Sequence, residues 1–219
     1  MVGSLRVVIA VPIYLILTPY ILKTLGTELF AIWSFSTIII GIINLTDFGF
    51  KNSLVHHVAA NSDDTRSVIQ YFSVTYCTFL ALGLSVIIGV LSASEYMASG
   101  LVGSASLYRS ETEFVLDITA ISFGIRFMAT PYQAIIEGFQ EIYFSHLVFM
   151  VWLIANFVGT LICLHFWANI YALGAMTLLC NILIFFLFYS RVKLRFGFIT
   201  VSFRDVSYQK FKEILRFGV

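Results

Sequence analysis

The chain has 219 residues, of which 59% are hydrophobic and 11% charged, with a mean hydropathy of +0.93 and a formal net charge of +1. That balance lies far outside the range of soluble globular domains and identifies a polytopic, all-α membrane protein. The net charge itself says little about partners; no nucleic-acid partner is expected of such a membrane chain.

A helix needs about 20 apolar residues to cross a bilayer, and six such runs are expected, together a six-helix transmembrane lobe over residues 1–192. The first spans about Leu5 to Leu22 and holds Pro12 and Pro19; no small-x-small cleavage site follows it, so it reads as a signal anchor and first helix. The link "KTLGTE", with Gly26 as a helix stop, is short enough to force a hairpin into the second run, about Leu29 to Asp47. The third runs from about Val68 to Leu91, where Ala81, Ser85, Gly89 and Ala93 recur every four residues as a small-xxx-small packing face. The fourth covers about Phe114 to Ile136, the fifth Phe144 to Phe166 and the sixth Tyr171 to Tyr189, joined by tight links at "GFQEIY" and "WANI". Residues 193–209 read as a basic cytoplasmic connector and 210–219 as the start of a further helix cut short.

Cytoplasmic loops carry the excess of Lys and Arg. An N-terminus inside places Arg6, Lys51, Arg66, Arg191, Lys193, Arg195, Arg204, Lys210, Lys212 and Arg216 in the cytoplasm and only Lys23 and Arg109 outside. Cys77, Cys163 and Cys180 lie within expected helices without paired spacing, so they serve as small packing residues and neither a disulfide framework nor a metal site is expected. His56 and His57 lack a third ligand at suitable spacing and read as surface histidines. The "DFG" at Asp47 has no kinase companions, no nucleophile stands beside a base, and no catalytic residue or cofactor is expected.

Arg126 lies deep in the fourth run. Residues three and four apart share a helix face, and Thr119, Ser122, Arg126, Thr130, Gln133 and Glu137 fall on one stripe about 80° wide and about 27 Å long. A cation at mid-bilayer costs about 2.5 to 3.5 kcal/mol on insertion scales and turns toward a bundle interior or an aqueous cavity. Two readings stand: Arg126 pairs with an acid on a neighbouring helix and holds the bundle together, or it lines a cavity and meets an anionic ligand. Ser34, Thr37, Gly41 and Asn44 form a fainter stripe that continues to Lys51. Ser145, Trp152, Asn156, Gly159 and Cys163, and then Gly174, Thr177 and Asn181, form two more; these read as interhelical hydrogen bonding and close packing. The candidate substrate path is therefore Arg126, Ser122, Thr130, Gln133, Glu137, Asn44 and Lys51.

The stretch "LTPYILKTLGTELFAIWSFSTIIIGIINLTDFGFKNSLVHHVA", with Pro19, Leu25, Gly26, Phe30, Trp33, Asp47, Gly49 and Ala59, resembles the opening of polysaccharide-transport flippases, the Wzx-type O-antigen branch of the MOP superfamily. "PYQAIIEGFQEIYFSHL", through Gly138 and Gln140, resembles that family's junction between helices four and five, with Glu141 where a basic residue often follows. The resemblance implies one lobe of a MOP/MATE-like transporter rather than an enzyme. It implies export of an undecaprenyl-pyrophosphate-linked oligosaccharide across the bacterial cytoplasmic membrane. The implied partners are that lipid-linked oligosaccharide, the bilayer, and a C-terminal lobe or second half-transporter. Two alternatives are weighed against it. An ion-coupled multidrug exporter of the same superfamily often carries an acid in helix one, and residues 5–22 contain none; the other alternative is a half-size membrane scaffold.

Overall fold

The computed structural model describes residues 2–44, 49–102, 107–202 and 208–218, and their side chains except at residues 2–8, 39–44, 102, 217 and 218. The described residues form seven helices and no strand: α1 (Val2–Asn44), α2 (Phe50–Ala60), α3 (Thr65–Val102), α4 (Arg109–Gly138), α5 (Ile142–Phe166), α6 (Ile170–Arg195) and α7 (Tyr208–Gly218). Five helical segments, in α1, α3, α4, α5 and α6, are long and apolar enough to span a membrane. Large apolar side chains such as Leu15, Ile88, Ile154, Leu179 and Phe186 lie on the outside, where hydrocarbon solvates them. The chain is a multi-pass membrane protein.

The first two expected helices form one run, α1, broken at Gly26, whose φ of 81° and ψ of 171° lie in a region open essentially to glycine alone. No heavy atom lies within 4 Å of a Cβ placed there, so backbone conformation, and not crowding, demands glycine. Tyr14 before the break and Thr37 after it line one cavity, although an unbroken helix would set them about 35 Å apart. The run is therefore sharply bent at Gly26.

Helix α4 is the axis of the bundle: 56% of its apolar window is buried, against 17% to 33% in the other four spans. Its upper part joins Val115 to Leu17, Ile21 and Leu25 of α1, Leu164 of α5 and Leu173 of α6. Lower down, Phe123, Phe127, Ile135 and Ile136 pack with α2, α3, α6 and α7 in a larger core. Gly83 of α3 faces Gly124, and a methyl on Gly83 would lie 3.6 Å from the Gly124 backbone, so these two helices meet at glycine. The small-residue face expected on the third helix is not where this packing occurs: Ala81, Ser85 and Gly89 are exposed. Ser85 tolerates that position because its hydroxyl donates to the Ala81 carbonyl at 2.8 Å.

Helix boundaries follow local chemistry. Asp64 precedes α3 and accepts from the Ser67 hydroxyl at 2.6 Å and from the Arg66 and Ser67 amides at 3.1 and 3.3 Å; the hydroxyl first, then the Ser67 amide, holds its carboxyl below the usual range. Asn169 caps α6 by accepting from the Ala172 amide at 2.8 Å. Gln140, at φ 64°, takes the left-handed conformation between α4 and α5, and Glu141 then pairs with Arg191 at 2.8 Å and Arg195 at 3.3 Å on α6.

Helix α7 docks on α2 and α3. Ile214 is fully buried, and the Phe211 ring lies 5.9 Å from that of Phe50. Tyr71 donates to Glu213 at 2.7 Å, Lys210 donates to the Tyr71 oxygen at 2.8 Å, and His57 stacks on the Tyr71 ring at 4.3 Å. His57 is thus half-buried rather than a surface histidine as expected, because this stack covers it. Burial, then the neighbouring His56, lowers its pKa from 6.5; Glu213 opposes and Lys210 adds to the shift. A histidine held low in the folded state contributes stability above its unfolded pKa that is lost as pH falls through the folded value. Glu213 is lowered too, first by the Tyr71 hydrogen bond, so it stays ionised across that window. Amide exchange in residues 208–218, corrected for intrinsic rate, is expected to accelerate as pH falls below the 6.5 of an ordinary histidine. His57→Phe, which keeps a stacking ring, is expected to abolish this acceleration; an unchanged pH response in that variant would assign the effect elsewhere.

Candidate functional site: two cavities joined at Arg126

Two of the cavities along α4 share Arg126. The larger, about 590 Å³, is walled by α1, α4, α5 and α6; the smaller, about 460 Å³, lies among α2, α4 and α5, with Phe79 of α3 and Phe188 of α6 also in its wall. Helical spacing distributes the α4 stripe between them: Ser122 faces the larger, Thr130, Gln133 and Glu137 face the smaller, and Arg126 lines both. Thr119 is buried in packing instead.

The larger cavity combines hydroxyl, amide and aromatic groups: Ser34, Thr37, Asn156, Thr160, Thr177 and Asn181, with Trp33 and Trp152 among them. Of the fainter stripes expected to hydrogen-bond and pack between helices, Ser34, Thr37, Trp152, Asn156, Thr177 and Asn181 line this space instead, whereas Gly159 packs closely on Met176 of α6 and Gly174 on Phe114 and Ile118 of α4 as expected. Three of the stripes' polar groups bond within their own helix: Thr37 donates to the Ser34 carbonyl at 2.7 Å, and Thr177 to the Leu173 carbonyl and Asn181 to the Thr177 carbonyl, both at 3.1 Å. Helical geometry makes this possible, since a side chain reaches the carbonyl three or four residues back while its remaining lone pairs or protons face the cavity. Ser122 Oγ and Trp152 Nε1, by contrast, are buried without a hydrogen-bond partner among the described residues. Two unsatisfied polar atoms in one cavity wall are costly unless a guest engages them.

In the smaller cavity Lys51 Nζ lies 3.0 and 3.2 Å from the two Glu137 oxygens, and Gln133 Nε2 donates to Glu137 at 2.7 Å. Lys51 does not continue the stripe of the second expected helix. It belongs to the separate α2, which starts after Gly49 takes a left-handed φ of 71°. Asp47 lies outside the described residues, as does the side chain of Asn44. Ser145, 5% exposed, lines this cavity with its Oγ unpaired among the described residues, and His146 stands beside it. His146 escaped the sequence reading because it falls about 100° off the α5 polar stripe and only the facing helices reveal its surroundings.

Other motif positions have structural explanations. A methyl on Gly138 would lie 2.6 Å from Val58 Cβ, so glycine lets the end of α4 touch α2. Trp33 lines the larger cavity, whereas Pro19 is exposed on α1. Gln140 supplies the left-handed turn.

No curated protein matched the chain. A solved structure described as the inward-facing conformation of a multidrug resistance MATE family transporter of the MOP superfamily is similar at a TM-score of 0.77 and 18% identity. The similarity covers 94% of this chain and 48% of that one, so the chain spans about half the length of the structure it matches and shares the fold of that part. A family model described as polysaccharide biosynthesis protein matches residues 2–219, and the chain belongs to that family.

Proposed function

We propose that this chain forms one lobe of a flippase that moves an undecaprenyl-pyrophosphate-linked oligosaccharide from the inner to the outer leaflet of a bacterial cytoplasmic membrane. The observation that carries this reading is Arg126 at the joint of the two cavities. A guanidinium away from bulk water makes charge-assisted, two-pronged hydrogen bonds to phosphate oxygens, and the larger cavity beyond it offers hydroxyls, amides and indole faces suited to a glycan. In this proposal the Gly26 bend makes α1 two crossings, giving six for residues 1–192. Residues 193–209 connect to a further helix at 210–219, both termini face the cytoplasm, and a second lobe or half-transporter completes the path.

The second reading, an ion-coupled drug exporter, is favoured by the multidrug transporter among the fold's relatives. Reconstituting the intact gene product in vesicles separates the two. The flippase reading expects a fluorescent undecaprenyl-pyrophosphate glycan to become accessible in the opposite leaflet, with no gradient-driven efflux of a cationic dye. Dye efflux without glycan movement overturns it.

A further inference from the structure

We propose that Lys51 and Ser145 form an entry docking station for a phosphate-bearing headgroup, and that Glu137 masks this station until a phosphate displaces it from Lys51. The proposal deepens the flippase reading and rests on it for the identity of the anion. Glu137 lies 11 residues from Arg126 on α4, about 16 Å along the helix axis, yet both line the same cavity. One phosphate group cannot touch both ends at once, so the cavity holds two separate cationic positions.

At the entry position Lys51 spends its ammonium on the two oxygens of Glu137, and Gln133 steadies that carboxylate. The pair bridges α2 and α4, with side chains 24% and 18% exposed, so water and ligand can reach it. Ser145 supplies an independent sign of a guest: the residue is only 5% exposed, lines this cavity, and its buried hydroxyl has no partner among the described residues. The titratable groups on this cavity are Lys51, Glu137, Arg126 and His146. While Lys51 and Glu137 face one another their charges nearly cancel, and a monoanion gains little. A pyrophosphate, with more charge and more acceptor oxygens than a carboxylate, competes for the same three ammonium protons. Once Lys51 turns to phosphate, Glu137 repels the bound anion, which favours its onward step toward Arg126. The mask thus excludes weak anions and keeps the station from becoming a trap.

The test uses the full-length protein in detergent with two probes, inorganic pyrophosphate and farnesyl diphosphate, measured by titration calorimetry. Glu137→Gln is expected to tighten binding of both about five- to tenfold, Lys51→Met to weaken it about tenfold, and the double variant to show no tightening. Unchanged or weaker binding by Glu137→Gln, with melting like the parent protein, overturns the masked station and leaves the role of Arg126 standing. If Arg126→Ala binds both probes normally while Glu137→Gln still tightens them, the flippase reading loses its central cation and the station survives. Amine labelling of the unaltered protein, read by mass spectrometry, covers the case in which Glu137→Gln does not fold. Pyrophosphate is expected to slow labelling of Lys51 and not of Lys23, and equal rates at both overturn the station.

Discussion

Gly138→Ala is expected to destabilise the protein by about 1–3 kcal/mol, the cost of forcing a methyl into a filled contact. The new carbon would sit 2.6 Å from Val58 Cβ and Cγ1 and 3.2 Å from the Val55 carbonyl oxygen, and Val58 is fully buried. A β-branched side chain in a helix has essentially one rotamer, so Val58 cannot swing aside and α2 must back away from α4. That displacement also pulls Lys51 from Glu137 and disturbs the Phe50 contact with α7, so three interactions weaken together. Gly89→Ala is the control: nothing lies within 4 Å of its added carbon, and removing a helical glycine is neutral or stabilising by up to about 1 kcal/mol. Thermal unfolding of both variants in one detergent checks the pair. Equal melting of Gly138→Ala and the parent protein would mean that α2 rides more loosely on α4 than its geometry indicates.

Much of the architecture was legible because a bilayer imposes a simple rule on composition. The apolar runs expected around Val68, Phe114, Phe144 and Tyr171 lie within α3, α4, α5 and α6, and tight links with Gln140 and Asn169 separate the last three. The stripe through Arg126 was legible for a related reason, since six polar residues at helical spacing cannot all face lipid. Helix α2 was not legible: "FKNSLVHHVAA" is too short and too polar to read as a span, and its burial depends on α4, α3 and α7 converging on Leu54 and Val58. The pairing of Lys51 with Glu137, 86 residues away, belongs to the same class, because no local period encodes a contact between helices. Small-residue spacing on α3 misled for the opposite reason. A close-packing pattern states what could approach, and among the described residues no neighbouring helix covers Ala81 and Ser85, which are exposed. Glu141, which departs from the basic residue common at that point in the resembling family, is explained by Arg191 and Arg195 on α6: with those cations opposite, an acid is the residue that binds α5 to α6.

Arg126→Ala is expected to lower glycolipid flipping by the complete protein about 10- to 100-fold while leaving its amount and melting temperature nearly unchanged. A hydrogen bond to a charged group is worth about 1.5–3 kcal/mol, which sets that range. Arg126→Lys keeps a cation but loses the planar fork, so an intermediate rate, down by on the order of tenfold or less, is expected. Stability is the discriminating measurement between the two readings of this residue. If Arg126 holds the bundle together by pairing with an acid, its removal strands a partner charge, costs about 3–5 kcal/mol and depletes the protein from the membrane. If it serves the cavity, alanine enlarges a space already open on both sides of the side chain, and the helix around it keeps its packing through Phe123 and Phe127. The contrast between alanine and lysine then reports on the ligand. A guest bound by charge alone accepts lysine at nearly full rate, whereas a phosphate gripped through two parallel hydrogen bonds does not. Full flipping activity in both variants would remove the anion from Arg126 altogether.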